Sequence, residues 1–140
     1  MGGVAWRGGF VAAAVSAGLL MYRTPSDRLE VLIAHPGGPL WSKRDDGAWT
    51  IPKGLREADE DLAATAAREF VEETGFAVPA TGWIPLGSVR QRSGKTVHAW
   101  AVPGEAAPAE LRSNPFEMEW PPRSGRRQEF PEIDRVAWCE

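Results

Sequence analysis

Residues 54–76 read GLREADEDLAATAAREFVEETGF, and the architecture of the chain follows from this stretch. Leu62, Ala66 and Phe70 recur at i, i+4 and i+8, with Ala63, Ala67 and Val71 widening the apolar stripe. That period predicts an amphipathic helix. Asp59, Glu60 and Asp61 stand at its start, suited to capping free N–H groups and to the helix dipole. Gly75 stands where a C-cap glycine ends it. Glu69, Glu72 and Glu73 lie at i, i+3 and i+4, which puts three carboxylates on one face. Like charges at this spacing destabilise an isolated helix, so something should offset the repulsion. A hard divalent cation does so, because it takes oxygen ligands from carboxylates and substrate phosphates. A solvated acidic surface is the other reading of the cluster by itself.

On either side of this helix the pattern is β. Residues 16–23 (SAGLLMYR) and 29–35 (LEVLIAH) read as strands, the second closed by Pro36, Gly37, Gly38 and Pro39. Residues 49–51 form a short extended piece ending at Pro52. Residues 83–91 and 96–102 read as two strands around a turn at Arg92, Ser93, Gly94 and Lys95. Residues 103–131 hold six prolines and much charge, which predicts mainly loop. A last strand covers residues 133–138. The expected fold is therefore α+β, a mixed sheet with one long helix. Val136 and Trp138 share one face of the last strand, and no residues remain for a helix after it. The expected cover for that face is the apolar leader or a second subunit.

With 140 residues, 43% hydrophobic and 25% charged, the chain is sized and composed for one globular core. Residues 1–14 read as a variable apolar leader and 15–140 as a single domain. The apolar run at residues 10–22 is shorter than the roughly 20 residues that span a bilayer, so no membrane partner is expected. A net charge of -3 excludes a basic nucleic-acid coat and stable nucleic-acid binding, while leaving room for a local basic pocket. The one cysteine, Cys139, has no motif around it and reads as a passive thiol in a cytoplasmic protein.

Gly54, Glu60, Arg68, Glu69, Phe70, Glu72, Glu73, Gly75 and Phe76 meet the pattern G-x5-E-x7-R-E-U-x-E-E-x-G-U, where U is bulky and apolar. This resembles the signature of the Nudix hydrolases. The resemblance implies an α/β/α sandwich with a mixed sheet, in which the C-terminal helix is missing here. It also implies Mg²⁺ or Mn²⁺ as cofactor. By position, Glu72 and Glu73 become the chief metal ligands and Glu69 a further ligand or the base that activates water. The Gly54 carbonyl and Glu60 support the site, and Arg68 orients the glutamates. Some relatives use a glutamate from a late loop as base, for which Glu129 and Glu132 are the candidates. The implied reaction is attack of water on a nucleoside diphosphate linked to another group.

Trp49, Thr50, Ile51, Pro52, Lys53 and Gly54 resemble the W-x-x-P-K-G lead-in of Nudix enzymes that act on diadenosine polyphosphates. Lys53 would then stand beside phosphate as a point charge. A tyrosine found past the signature in some of those enzymes is absent, with Arg92 in that region, and Gln91 stands where ADP-ribose hydrolases carry proline. Residues 113–122 are only distantly similar to the array of NADH pyrophosphatases. Arg90, Arg92 and Lys95 form one basic cluster and Arg123, Arg126 and Arg127 another, both suited to a polyphosphate tail. Trp41, Trp49 and Trp120 lie in loop or loop-edge segments where an indole can stack on a base. His35 and His98 have no metal-ligand neighbour at i+2 or i+4 and read as structural. The expected substrate is a dinucleoside polyphosphate or (d)NTP, bound by a monomer or homodimer. Two other readings are house-cleaning of oxidised nucleotides and a non-catalytic nucleotide-binding module, the latter disfavoured by the intact glutamates.

Overall fold

The computed structural model of the protein describes residues 14–140. The leader assigned to residues 1–14 lies, except for Ala14, outside the described residues. In chain order the elements are β1 (Val15–Arg23), β2 (Glu30–Pro36), β3 (Lys53–Leu55), α1 (Leu62–Thr74), β4 (Ile84–Arg90), β5 (Thr96–Pro103), β6 (Pro115–Glu119), β7 (Arg127–Pro131) and β8 (Ile133–Cys139). The main sheet is mixed and runs β4-β5-β1-β2-β8, with β3 also paired to β1. β1 is its axis. It runs parallel to β5 along one edge, while β3 takes the first part of its other edge and β2 the last.

Alternation along β1 builds the core. Ala17, Leu19 and Met21 point to one face and are buried, as period 2 requires. They pack with Leu32 and Ala34 of β2, Val102 of β5, Ile133 and Val136 of β8, and Ala66 and Phe70 of α1. The helix lies across β1, β3 and β5. The Asp61 carboxylate accepts the Ala64 N–H at 3.2 Å and caps its N-terminus, and Gly75 ends it in the left-handed conformation at φ 76°. A Cβ at Gly75 would stand 2.9 Å from the Arg112 Cβ, a second reason for glycine there. The buried stripe is narrower than the sequence predicts. Ala66 and Phe70 are fully buried, but Val71 is exposed, because the helix meets the sheet along a single line of contact.

The structure adds to or corrects three expectations. The short extended piece at residues 49–51 makes only a single bridge, Thr50 to Ala34, and the strand forms at Lys53–Leu55 instead. Pro52 has no N–H to donate, so the ladder resumes after it, with Gly54 opposite Ala17. Second, residues 103–131 are mainly loop as expected, but they also hold a pair of strands. Pro115–Glu119 and Arg127–Pro131 pair as an antiparallel hairpin, with Phe116 opposite Phe130 and their rings 6.0 Å apart. Pro115 and Pro131 sit at strand ends, where a missing N–H costs no ladder bond, and Pro121 and Pro122 lie in the connection. Third, Val136 and Trp138 find cover within the described residues. Val136 joins the core, and the Trp138 indole donates to the Ala106 carbonyl at 3.0 Å beneath the Arg23 guanidinium. The connection after β5 contributes to this cover, so these two side chains do not by themselves require the leader or a second subunit.

Among the described residues α1 is the only α-helix, on one face of the sheet, and none follows β8. No described helix is long and apolar enough to cross a membrane. Cys139 is an exposed free thiol. His35 is buried and structural, with Nδ1 2.8 Å from Asp134 Oδ1 and Nε2 2.6 Å from the Arg44 carbonyl.

Candidate active site

The loop between β3 and α1 and the first turns of the helix are organised by one guanidinium. Arg68 donates from Nε to Glu60 Oε2 and from Nη2 to Glu60 Oε1, both at 2.9 Å. Its Nη1 donates to Glu69 Oε2 at 2.6 Å, and Nη2 also donates to the Leu55 carbonyl at 3.1 Å. This is the two-pronged geometry that arginine provides and lysine does not. Glu72, at i+4, is 3.4 Å away and is the weaker partner. Glu60 further accepts from the Glu57 N–H and the Thr65 hydroxyl. The Arg68 bonds, then the other two donors, pull its carboxyl down to about 2. Burial alone would lower the Arg68 pKa, but its bonds to Glu60 and then Glu69 raise it.

Arg68→Ala is expected to lower Tm by roughly 5 °C or more, because Glu60 and Glu69 lose their partner while largely buried. Arg68→Lys should restore only part of the loss, since an ammonium cannot reach Glu60, Glu69 and Leu55 together. Thermal unfolding of the three proteins checks this, and equal stability of all three would refute the bracing role.

Beside this brace lies a cavity of about 310 Å³ lined by Lys53, Gly54, Glu69, Glu72, Glu73, Asn114, Pro115 and Glu132. β3 delivers Lys53 and Gly54, α1 the three glutamates, and the two ends of the β6–β7 hairpin deliver the rest. Backbone bonds hold the hairpin in place. The Asn114 N–H donates to the Glu72 carbonyl at 2.9 Å, the Glu132 N–H to the Asn114 carbonyl at 2.8 Å, and the Gly37 N–H to the Glu132 carbonyl at 2.9 Å.

The cavity is short of positive charge. Burial, a hydrogen bond shared with Glu69 and the charges of Glu69 and Glu132 push Glu73 up to about 9. Glu132 is raised by burial and by Glu69. Lys53 is lowered, by burial first and then by Lys95, with Glu73 opposing. Among the described residues no three His, Cys, Asp or Glu side chains already converge on a metal position. The donor chemistry nonetheless fits a hard cation: four carboxyl groups line one cavity, and burial with the neighbouring Glu69 and Glu132 disfavours the charge on Glu73. Glu69 keeps one oxygen outside its short bond to Arg68.

Of the residues singled out from the sequence, Lys53, Gly54, Glu69, Glu72, Glu73 and Glu132 come together here. Arg68 and Glu60 stand behind them. Glu129 does not join them: it is exposed on β7 opposite Glu117. Trp49 also lies outside the cavity, donating to Asp45 at 2.6 Å with its ring edge-on to His35. Arg92 is exposed in the turn between β4 and β5. Asn114 and Pro115 were not foreseen. They belong to the proline-rich stretch, and no local spacing signals that they reach the helix.

The NUDIX domain profile matches residues 13–140, nearly the whole chain. The chain belongs to the Nudix family. Solved Nudix structures share its fold. The NUDIX domain of NrtR from Shewanella oneidensis, complexed with ADP ribose, superposes with a TM-score of 0.60 at 16% identity over 94% of this chain and 75% of that one. A MutT/nudix family protein from Enterococcus faecalis gives 0.63 at 17% identity, over 92% of this chain and 44% of that one. The Ap4A hydrolase of C. elegans gives 0.57 at 20% identity, over 91% and 80%. A search of curated proteins returns no match. In Nudix terms the signature helix is α1, and its glutamates face the cavity just described. The chain is thus a Nudix-type hydrolase with a mixed sheet and a single described helix.

Proposed function

We propose that the chain is a metal-dependent pyrophosphohydrolase acting on a dinucleoside polyphosphate or (d)NTP, with Mg²⁺ or Mn²⁺ as cofactor. The observation that carries this reading is the convergence of four glutamates, Lys53 and the Gly54 backbone on one cavity. Glu69, Glu72, Glu73 and the Gly54 carbonyl would hold the metal, which neutralises phosphate oxygens and lowers the pKa of bound water. Lys53 offers its ammonium to the same phosphates. Arg68 keeps Glu69 and Glu72 oriented. Between the candidate bases, Glu132 fits better than Glu69. Burial and Glu69 raise its pKa, it enters from a different element than the metal ligands, and Arg68 does not bind it.

The neighbour from Shewanella is complexed with ADP ribose and the one from C. elegans is an Ap4A hydrolase, so both substrate classes must be compared. The phosphate-rich class is favoured by Lys53 in the cavity and by Lys95, which lies near enough to lower it. With Mg²⁺, hydrolysis of Ap4A, Ap6A or ATP is expected to exceed that of ADP-ribose and NADH in kcat/KM, with 8-oxo-dGTP reading the house-cleaning alternative. Chromatography of the products decides. A preference for ADP-ribose overturns the substrate class, and no turnover of any compound leaves the non-catalytic module. A disulfide-free chain supports a cytoplasmic setting.

A further inference from the structure

A second cavity adjoins the catalytic one at Glu132. On the far side of that residue lies a narrower cavity of about 190 Å³. Leu40 and Trp41, from the connection between β2 and β3, line it together with Phe116 and Met118 of β6. Glu132 lines both cavities, and Pro115 of the first is the chain neighbour of Phe116 in the second. The two spaces therefore adjoin at Glu132, one polar and carboxylate-lined, the other aromatic.

The slot is built firmly. Gly38 adopts φ +93°, and a Cβ there would stand 2.9 Å from Phe116 Cζ, so the two walls approach as closely as glycine permits. The Gly37 N–H is bonded to the Glu132 carbonyl, which ties the β2 side to the hairpin. Phe116 is backed by Phe130. Against this rigid frame Trp41 remains 38% exposed, with only the Arg44 guanidinium 5.6 Å from its ring. A part-exposed indole, a phenyl ring and a thioether make a surface for a flat aromatic group. The volume is below the about 300–1,000 Å³ of sites for larger ligands, which suits one ring system and not a whole nucleotide.

The structure assigns this slot to the base of the substrate: a nucleobase lies against Trp41 beside Phe116 and Met118, and its phosphates pass Glu132 into the catalytic cavity. The assignment rests on the pyrophosphohydrolase reading of that cavity and adds Trp41 as its specificity-determining residue. Trp49 and Trp120 line neither space.

Calorimetric titration tests it without turnover, with AMP as the probe carrying a base and ribose 5-phosphate as the probe without one. Wild type should bind AMP more tightly than ribose 5-phosphate. Trp41→Ala should weaken AMP by about 10-fold or more, the scale of base–aromatic stacking, and leave ribose 5-phosphate unchanged. Trp41→Phe should recover AMP binding to within about threefold, because a ring is restored. Circular dichroism confirms folding of each variant. Equal affinity of wild type for the two probes, unchanged AMP binding in Trp41→Ala, or equal weakening of both probes overturns the assignment. Failure of wild type to hydrolyse any pyrophosphate compound, with AMP still bound through Trp41, would instead refute the catalytic reading alone.

Discussion

Glu73→Gln is expected to leave the fold intact and to lower kcat by at least about 10²-fold, because a neutral amide is a poor ligand for a hard cation. Glu72→Gln should lose activity to a similar degree. The structure adds a second, opposite effect for Glu73. Its carboxyl titrates near 9 in the folded protein against an ordinary 4.5. A raised carboxyl pKa means that folding stability is lost as pH climbs from about 4.5 toward 9, since the buried site must then accept a charge it resists. Glutamine carries no such charge. In chelator-treated protein, Glu73→Gln should therefore match or exceed the wild-type Tm at pH 8, with the difference shrinking toward pH 5. Activity and stability thus move in opposite directions, which a purely structural glutamate would not produce. Near-wild-type turnover at saturating Mg²⁺, or a large drop in Tm, would remove Glu73 from the metal site.

Gly54→Ala should cost as much activity by a different route. Gly54 pairs with Ala17 on the face toward α1, and a Cβ added to it would coincide with the Glu69 carboxyl group. One side must yield. Gly54 is held in the ladder with β1, and Glu69 is held by Arg68. The smallest relief turns Glu69 away from the cavity or lifts β3 from α1. A displacement of about 1 Å at a catalytic carboxylate is worth on the order of 10²-fold in rate, so kcat should fall by at least that factor, accompanied by a lower Tm. Steady-state kinetics with a thermal melt decides, and an alanine variant with native Tm and native kcat would show that the space is not shared. The glycine is therefore required here for close approach to a carboxylate, not for an unusual backbone angle.

The helix and its glutamates were legible from residues 54–76 because everything that specifies them is local. Apolar spacing, the Asp61 cap, the Gly75 stop and the i, i+4 relation of Arg68 to Glu72 act within one or two turns. Even so, the partners of Arg68 were ranked differently by the fold. The guanidinium takes Glu60, eight residues back, in preference to Glu72, because the β3–α1 loop returns Glu60 and the Leu55 carbonyl to the same side of the helix.

The late hairpin shows where local reading stops. Six prolines between residues 103 and 131 argue for loop if each is weighed by its missing N–H alone. Three of them, Pro103, Pro115 and Pro131, begin or end strands, where that N–H is not needed, and packing of Phe116 over Gly38 pays the remaining cost. Glu129 and Glu132 looked equivalent, three residues apart. Their separation follows from strand geometry: Glu129 points outward from β7, while Glu132 sits at the turn into β8, held by Gly37 and Asn114. Trp41, Trp49 and Trp120 were likewise indistinguishable as indoles in loops, and only the approach of β6 to the Pro36–Gly38 turn brings one of them beside the cavity. Spacing along the chain encodes which groups a helix face presents, because those energies act over a few residues. Which distant groups meet that face depends on strand register and on packing between segments far apart in the chain, and no short-range signal records it.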